Sequence, residues 1–203
     1  MCIRDRASAI GYYGDRGEET LDESSPKGEG FLADVATLWE KSTAEVESLG
    51  TRRAVIRTAL VLARDAEFIR RITLPFKLFV GGPQGGGGQW TSWIHIEDEA
   101  RAIVFLLERP DLSGIFNLAS PDTVRNKELA RAIGRVMRRP AMVGVPAVIL
   151  KAAFGEMAGD LMLASQKVMP KRLLESGFTF AYADIDAALE EVLAGAEGRA
   201  GKE

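Results

Sequence analysis

The spacing of apolar residues along the chain predicts helices that alternate with buried strands. Apolar side chains at i, i+3, i+4 and i+7 predict a helix over Phe31–Leu49, which Gly50 is placed to end. The run Arg53–Leu62 is almost continuously apolar, which is typical of a strand buried on both faces of a parallel sheet. A strand end and turn over Ser8–Gly14 precede that helix, so the order predicts a right-handed βαβ unit.

The rest of the pattern predicts more helices than strands. Strands are expected over Trp93–Ile96 and Gly114–Ala119, with Ile94 and Ile96 on one face of the first, and Phe178–Tyr182 alternates weakly. Capping and breaking residues set the helix boundaries. The predicted helices cover Asp65 to a break at Pro75, Glu97–Glu108, Asn126–Arg138 capped by Asn126, Pro146 to about Phe154, Pro170 to Gly177, and a last helix capped by Asp184.

Composition and charge narrow the class of protein. Of 203 residues, 46% are apolar and 27% are charged, which is the composition of an ordinary soluble globular protein. A net charge of −3 argues against nucleic acid as a partner and against binding to a membrane surface. No apolar run approaches the roughly 20 residues that a membrane span needs.

The cysteine and histidine counts bear on the cellular location of the protein and on whether it binds zinc. Cys2 is the only cysteine, so an internal disulfide is impossible and a cytoplasmic location is favoured. With His95 as the only histidine, a zinc site of three or four Cys and His ligands is not expected, and we predict no metal.

Several polar side chains are candidates for chemistry, and each also has a structural interpretation. Ser8 at a strand end can polarise a carbonyl, or it can satisfy backbone groups. Gln89, Trp90 and Trp93 follow a glycine loop, Gly81–Gly88. The amide can bond a ligand and the indoles can stack on one, or the tryptophans can anchor the core. His95 can titrate near neutral pH or serve as a hydrogen-bonded strand residue.

Five segments in order resemble one atypical, epimerase-like family of the extended short-chain dehydrogenase/reductases. They are Ser8–Gly14, Trp39-Glu40, Arg57–Leu62, Gln89–His95 and Ser165–Leu173. The resemblance covers about Ala7 to Leu193. It implies an α/β fold in which the C-terminal part of a Rossmann-like, doubly wound parallel sheet is joined to a smaller, mostly helical substrate-side domain.

The resemblance also implies a division of the chain. We expect a non-native leader at 1–6, a remnant of the NAD(P)-binding domain at 7–64, a substrate-side domain at 65–194 and a frayed tail at 195–203. The family's opening strand, glycine-rich turn and helix have no counterpart in this sequence, so we expect an N-terminally truncated protein. The strand ending near Ser8 would then have an open edge, which invites a homo-oligomer.

The function implied by the resemblance is that of an NAD(P)-dependent epimerase or oxidoreductase, with NADP or NAD as cofactor and a small molecule, either nucleotide-linked or free, as substrate. Site roles carry over residue by residue. Ser8 is the predicted catalytic residue; Arg57, Thr58 and Leu60 would bind the cofactor; Gln89, Trp90, Trp93, His95 and Arg172 would bind the substrate. Arg57 at a strand end and Arg172 in a capping segment can instead be solvated side chains.

This sequence departs from the superfamily at its acid–base pair. The expected Tyr-x-x-x-Lys is missing from the helix, where Phe31 and Val35 stand instead. Phenylalanine cannot donate a proton, and no lysine is present to lower a phenol pKa. Ala63–Ala66 also replaces a glycine-rich turn. A non-catalytic NAD(P)-binding structural or sensor protein is therefore the alternative.

Overall fold

Short strands and helices alternate along the chain in this computed structural model, which describes residues 3–148, 152 and 162–194. The strands are β1 (Ile3–Ala9), β2 (Thr20–Leu21), β3 (Arg52–Thr58), β4 (Leu60–Leu62), β5 (Trp90–Thr91), β6 (Trp93–His95), β7 (Gly114–Leu118), β8 (Val124–Arg125) and β9 (Lys167–Val168). The helices are α1 (Phe31–Lys41), α2 (Glu67–Lys77), α3 (Ile96–Glu108), α4 (Asn126–Met137), α5 (Lys171–Glu175) and α6 (Ile185–Ala194). No helix within these ranges is long and apolar enough to cross a bilayer.

The central sheet is parallel and has the order β1-β3-β7. β1 and β3 pair from Ile3 opposite Arg52 to Ala9 opposite Thr58, and helix α1 connects them. Residues 54–56 in the middle of β3 are all buried, because strands flank it on both sides and other elements cover it. The parallel α/β arrangement predicted from the sequence is confirmed. The first residues of β1 belong to the segment interpreted as a leader.

The predicted single strand over Arg53–Leu62 is wrong in one respect, because it is broken at Ala59. The Ala59 N–H donates to Leu118 O at 2.9 Å, whereas the next N–H, of Leu60, donates to Ser92 O at 3.2 Å. The chain therefore leaves β7 at this residue and continues as β4 beside β6. The same change of partner opens the carboxyl end of β3.

Local boundaries differ from prediction where neighbouring elements decide them. Helix α1 ends at Lys41, and a separate 3-10 turn, Ala44–Leu49, leads to Gly50 in the left-handed conformation (φ 72°). Pro75 lies inside α2 instead of breaking it at once, but the helix ends two residues later at Lys77, consistent with the helical hydrogen bond that proline cannot donate. Ile96 starts α3 and is half exposed, so it shares no strand face with Ile94.

The C-terminal elements follow the sequence pattern more closely. α5 begins after Pro170 and stops before Gly177, and Asp184 Oδ1 accepts from Ala187 N at 2.9 Å, so these predictions are confirmed. Asn126 is the first residue of α4 and not its cap, a place that Arg125 holds. Phe178–Tyr182 forms no strand. The helix predicted from Pro146 to about Phe154 lies largely outside the described residues.

Two apolar clusters hold these layers together. One packs α2, α4 and α6 around Trp93, which is fully buried. The other packs α3 and α5 against β7 through Phe116 and Leu173. Burial of such side chains stabilises the fold by roughly 1.5–3 kcal/mol each. A third, smaller cluster packs Ile10 and Tyr13, which follow β1, against Ala59, which follows β3.

Candidate active site

A cavity of about 330 Å³ lies at the carboxyl ends of β1 and β3. Ile10 and Gly11, which follow β1, line it together with Thr58, Ala59 and Leu60, which end β3 and begin β4. Ligands of open parallel α/β sheets bind outside the carboxyl ends of the strands. This cavity is therefore the candidate active site.

Three helices provide apolar walls. On α1 the lining positions recur with helical spacing, so a single face of this helix meets the cavity. α2 and α4 each contribute one apolar face in the same way. The residues are Leu32, Val35, Ala36 and Trp39 of α1, Phe68, Ile72 and Phe76 of α2, and Leu129, Ala130 and Ile133 of α4.

A few amides and hydroxyls supply the polar part of the lining. Asn126 Oδ1 accepts from Gln84 N at 2.8 Å, which leaves the Asn126 Nδ2 group as a donor. Gln166 Nε2 donates to the carbonyls of Ile10 and Gly14 at 3.2 and 3.1 Å, which leaves Gln166 Oε1 as an acceptor. Neither remaining group bonds to another described residue. Gln84 also lines the cavity, and its side-chain amide has no hydrogen bond to a described residue, so the cavity offers amide donors and acceptors from three residues.

No ionisable side chain occurs among the described residues that line the cavity. Two titratable groups contact the lining from outside: Glu18 Oε2 accepts from Trp90 Nε1 at 3.0 Å, and Glu99 on α3 hydrogen-bonds with Thr58. Burial raises the pKa of the Glu99 carboxyl above its ordinary value, and the Thr58 bond offsets only part of this effect.

Behind the cavity lies a buried polar network centred on Arg57. Its Nε and Nη2 atoms donate to the two oxygens of Glu40 at 2.8 and 2.9 Å, and its Nη1 donates to the Tyr13 hydroxyl at 3.0 Å. The guanidinium carbon lies 3.4 Å from the centre of the Tyr12 ring. Burial by itself would lower the pKa of Arg57, but bonds with Glu40 and Tyr13 outweigh it and raise the pKa, so the side chain stays charged.

The same network includes the hydroxyls of two residues at the end of β1 and beyond it. Ser8 Oγ donates to Glu40 Oε1 at 2.8 Å, and Tyr13 OH donates to Asn117 Oδ1 on β7 at 2.8 Å. Burial raises the pKa of Tyr13, although Arg57 acts in the opposite direction. The network joins β1, α1, β3 and β7 without reaching the cavity surface.

The predicted site residues at the strand ends fall into two groups: some line the cavity and others are buried behind it. Thr58, Leu60 and Trp90 line the cavity, as their predicted binding roles require. Ser8 and Arg57 are buried in the network behind it, where their polar atoms bond to other side chains. The catalytic and cofactor-binding roles of these two residues stay predictions.

Residues of the segment Gln89–His95 are used mainly for structure. Gln89 Nε2 donates to the carbonyls of Gln84 and Met162 at 3.1 and 3.0 Å, so the amide closes the glycine loop. Trp93 is fully buried, and its Nε1 donates to Asp122 O at 2.7 Å. Neither side chain lines the cavity, and their substrate-binding roles stay predictions.

His95 and Arg172 lie away from the cavity. His95 Nδ1 accepts from Glu97 N at 3.2 Å, so Nε2 carries the proton, and it lies 3.0 Å from Glu191 Oε2. The ring also packs on Tyr182, with centroids 3.9 Å apart. Arg172 Nη2 donates to Ser113 O at 2.8 Å. Ser113 precedes the amino end of β7, so Arg172 lies at the end of the sheet opposite to the cavity. Their substrate-binding roles also stay predictions.

Sequence reasoning did not single out four polar residues that shape the site. Glu40 stands in the Trp-Glu pair and Gln166 in the Ser-Gln-Lys motif, so the motifs contained both without indicating their roles. Asn126 was interpreted only as a cap. Gln84, inside the glycine loop, carried no signal beyond its position between glycines.

Comparison with known proteins gives a consistent picture. The chain is 39% identical over 183 residues to the epimerase family protein Mb2239 of Mycobacterium bovis, covering 90% of this chain and 61% of that protein. It is 38% identical over 190 residues to the epimerase family protein YfhF of Bacillus subtilis, covering 93% of this chain and 62% of that protein. Residues 145–192 match a domain of unknown function (DUF1731).

Among solved structures, the crystal structure of human epimerase family protein SDR39U1 (isoform 2) with NADPH superposes with a TM-score of 0.87 at 31% identity. That match covers 95% of this chain and 65% of the human chain. The chain thus spans about three fifths of the length of the curated relatives it matches. The similarity in sequence and the similarity in fold agree, and the chain belongs to the epimerase family of the extended short-chain dehydrogenase/reductase superfamily.

Proposed function

We propose that this chain forms the substrate side of an NAD(P)-dependent, epimerase-like oxidoreductase that acts on a small molecule. One observation carries the proposal: the apolar cavity with its few amides lies at the carboxyl ends of β1 and β3, where nucleotide cofactors meet such sheets. The NADPH of the human relative supports a nicotinamide cofactor, and NADP or NAD is proposed here. The cytoplasmic location stays a prediction.

The residues present fit the nicotinamide end of such a cofactor. Thr58 and Leu60 beyond β3, together with Ile10 and Gly11 beyond β1, would hold the flat ring against apolar walls. Gly11 matters here because a Cβ would come within 3.2 Å of Leu32 Cβ. When bound, a nicotinamide cofactor supplies or accepts a hydride.

The chain's own residues would orient the substrate and exclude water. The donor of Asn126 and the acceptor of Gln166 can fix a carbonyl or hydroxyl group. The apolar faces of α1, α2 and α4 keep the cavity dry, which strengthens these hydrogen bonds. The residues thereby select and position a reacting carbon.

The proton donor of the reaction must differ from the one that the superfamily uses. The α1 face that meets the cavity is entirely apolar, so we propose that the Tyr–Lys pair has no replacement on this helix. The Ser8 hydroxyl donates to Glu40 in this structure. A catalytic role would require the side chain to turn about Cα–Cβ, out of the network and toward the cavity, and we propose Ser8 only as a carbonyl-polarising donor in that rotamer.

A non-catalytic NAD(P)-binding sensor is the second candidate. The absence of any ionisable side chain among the described lining residues favours it, because acid–base catalysis needs a titratable group within hydrogen-bond reach. Deuteride transfer separates the two functions. Label passing from deuterated NADPH to a simple ketone supports catalysis, whereas cofactor binding without transfer favours the sensor.

Binding of the nicotinamide end can be tested with 1-benzyl-1,4-dihydronicotinamide, a neutral analogue that carries no phosphate. It should quench the fluorescence of the cavity tryptophans, and AMP should not. Thr58→Arg places a long side chain in the cavity and should weaken binding by about tenfold or more, since a charge in an apolar site is costly. Thr20→Arg on the exposed side of β2 is the matched control. Equal binding by both variants would refute the assignment of the cavity.

A further inference from the structure

We propose that the cavity takes an uncharged, mainly apolar carbonyl or hydroxyl compound as substrate, and not a nucleoside diphosphate sugar. The inference rests on the proposed function, because it names the substrate class of the same cavity. Four properties of the described residues carry it: the lining, the adjoining pocket, the nearby cations and the start of α4.

The lining itself matches a neutral ligand. Trp39, Phe68, Phe76 and Trp90 provide aromatic surface, and the polar lining groups are amides, hydroxyls and backbone. A diphosphate in a site of low dielectric needs cationic or N–H partners, which the described lining residues do not provide through any Lys, Arg or His.

The pocket beside the cavity has the wrong charge for phosphates. This second pocket, of about 340 Å³, shares Gly11, Leu32 and Gln166 with the cavity. Its ionisable lining residues, within the described ranges, are the carboxylates Asp15 and Glu29. A phosphate group extending from the cavity into this pocket would meet like charge, which is unfavourable.

Two cations that pack against a lining residue are engaged with other groups. Arg125 and Lys167 both pack against the Trp90 ring, at 4.4 and 4.7 Å from its centre. Glu18 accepts from Arg125 Nη1 and Nη2 at 3.0 and 2.8 Å and so neutralises the guanidinium. Neither cation lines the cavity, so neither is placed to hold a diphosphate there.

Helix α4 starts at the cavity, and a free helix N-terminus can bind an anion. Here the first N–H groups are already used by the glycine loop. Asn126 N donates to Gln89 O at 2.9 Å, and Lys127 N donates to Gly87 O at 3.0 Å. The loop thus occupies the position that a phosphate would take at these two N–H groups.

What the cavity can bind follows from the uncommitted amide groups of its lining, of which Asn126 and Gln166 are fixed in place by their other hydrogen bonds. Asn126 Nδ2 can donate to a carbonyl, and Gln166 Oε1 can accept from a hydroxyl. One oxygen function on an otherwise apolar body satisfies this arrangement. Oxidised and reduced forms of one compound, a ketone and its alcohol, would both find a partner here.

The test uses the 203-residue chain and two probes. The neutral probe is 6-propionyl-2-dimethylaminonaphthalene, an aromatic ketone whose emission shifts to the blue in apolar surroundings. The anionic probe is UDP-glucose, added as a competitor and titrated alone by calorimetry. We expect saturable binding of the ketone at one site with a blue shift, and no displacement by UDP-glucose at a hundredfold excess.

Two lysine substitutions on α1 test whether the ketone probe binds inside the cavity. Val35→Lys introduces an ammonium into the cavity wall, whereas Leu38→Lys introduces one at an exposed position of the same helix that does not line the cavity. Val35→Lys should weaken ketone binding by roughly tenfold or more, because an unpaired charge in an apolar cavity is strongly unfavourable. Leu38→Lys should leave it unchanged. Circular dichroism confirms that both variants fold; if Val35→Lys does not, Val35→Gln replaces it and should weaken binding in the same direction.

The outcomes are distinct. UDP-glucose that displaces the ketone, or that binds where the ketone does not, would overturn the proposed substrate class while leaving the cofactor proposal intact. Ketone binding that is insensitive to the Val35 substitution would place the probe elsewhere and would also overturn it. Failure of the dihydronicotinamide analogue alone would instead count against the proposed function.

Discussion

Glu40 on α1 holds Arg57 on β3 through both carboxylate oxygens, with N–O distances of 2.8 and 2.9 Å. Only 1% of the Arg57 side chain is exposed, so this is a buried ion pair between a helix and the middle strand of the sheet. Tyr13 and Ser8 bond to the same pair and extend it to β1. The pair fixes α1 against the sheet at the edge where the cavity opens.

Removing one partner of this pair should be strongly destabilising. Glu40→Ala leaves a buried guanidinium without its counter-charge, and we expect a loss of about 3–5 kcal/mol in the free energy of unfolding. Urea denaturation measures it. Glu47→Ala is the control, because Glu47 pairs with Arg53 at the surface and should cost less than about 1 kcal/mol. Equal losses in the two variants would contradict the role assigned to Glu40.

The two neighbouring tyrosines provide a matched comparison. Tyr13→Phe removes a buried hydroxyl that bonds to both Arg57 and Asn117, so we expect a loss of about 1–3 kcal/mol in stability. Tyr12→Phe keeps the ring that packs on Arg57, and the Tyr12 hydroxyl has no hydrogen bond to the described residues. Thermal unfolding should therefore separate the two variants; a larger loss for Tyr12→Phe would refute the network as described.

Glu23 predicts a pH dependence of stability. Burial raises the pKa of this carboxyl above its ordinary value, although the N–H groups of Asn117 and Arg172 bond to it. The folded state therefore holds a proton that the unfolded state has lost, so stability falls as the pH rises from the unfolded pKa through the raised folded pKa.

Substitution of Glu23 tests the predicted direction of this pH dependence of stability. Glu23→Gln keeps an oxygen acceptor and removes the titration, so its stability relative to the native chain should be greater at about pH 7 than at about pH 4. Urea midpoints at the two pH values give the comparison. Glu29→Gln, at an exposed position, is the control. A relative stability that is the same at both pH values would show that Glu23 does not titrate as argued.

Trp90 should contribute directly to ligand affinity. It lines the cavity, and Trp90→Ala removes an aromatic surface worth roughly 0.5–1.5 kcal/mol beyond area burial, so binding of the ketone probe should weaken several-fold. Leu38→Ala is the comparison: Leu38 is an exposed residue that does not line the cavity, so affinity should not change. Unchanged affinity in Trp90→Ala would make Trp90 a structural residue.

The order of elements could be predicted from the sequence because the relevant signals are local. The spacing of Leu32, Val35, Ala36 and Trp39 predicts one apolar helix face, and that face meets the cavity. The apolar run beginning at Arg53 predicts a buried parallel strand. Helical and extended periodicity depend only on near neighbours in the chain.

Only the tertiary structure decided which polar groups face the ligand. Arg57 and Ser8 stand at strand ends, as a site residue would, yet Glu40 on another element draws both into a buried network. Asn126 and Gln166, far apart in sequence, both line one cavity. The break at Ala59 likewise depends on hydrogen bonds to Leu118 and, at the next residue, to Ser92. Burial and charge pairing join residues distant along the chain, so local periodicity determined the elements and long-range packing determined the site.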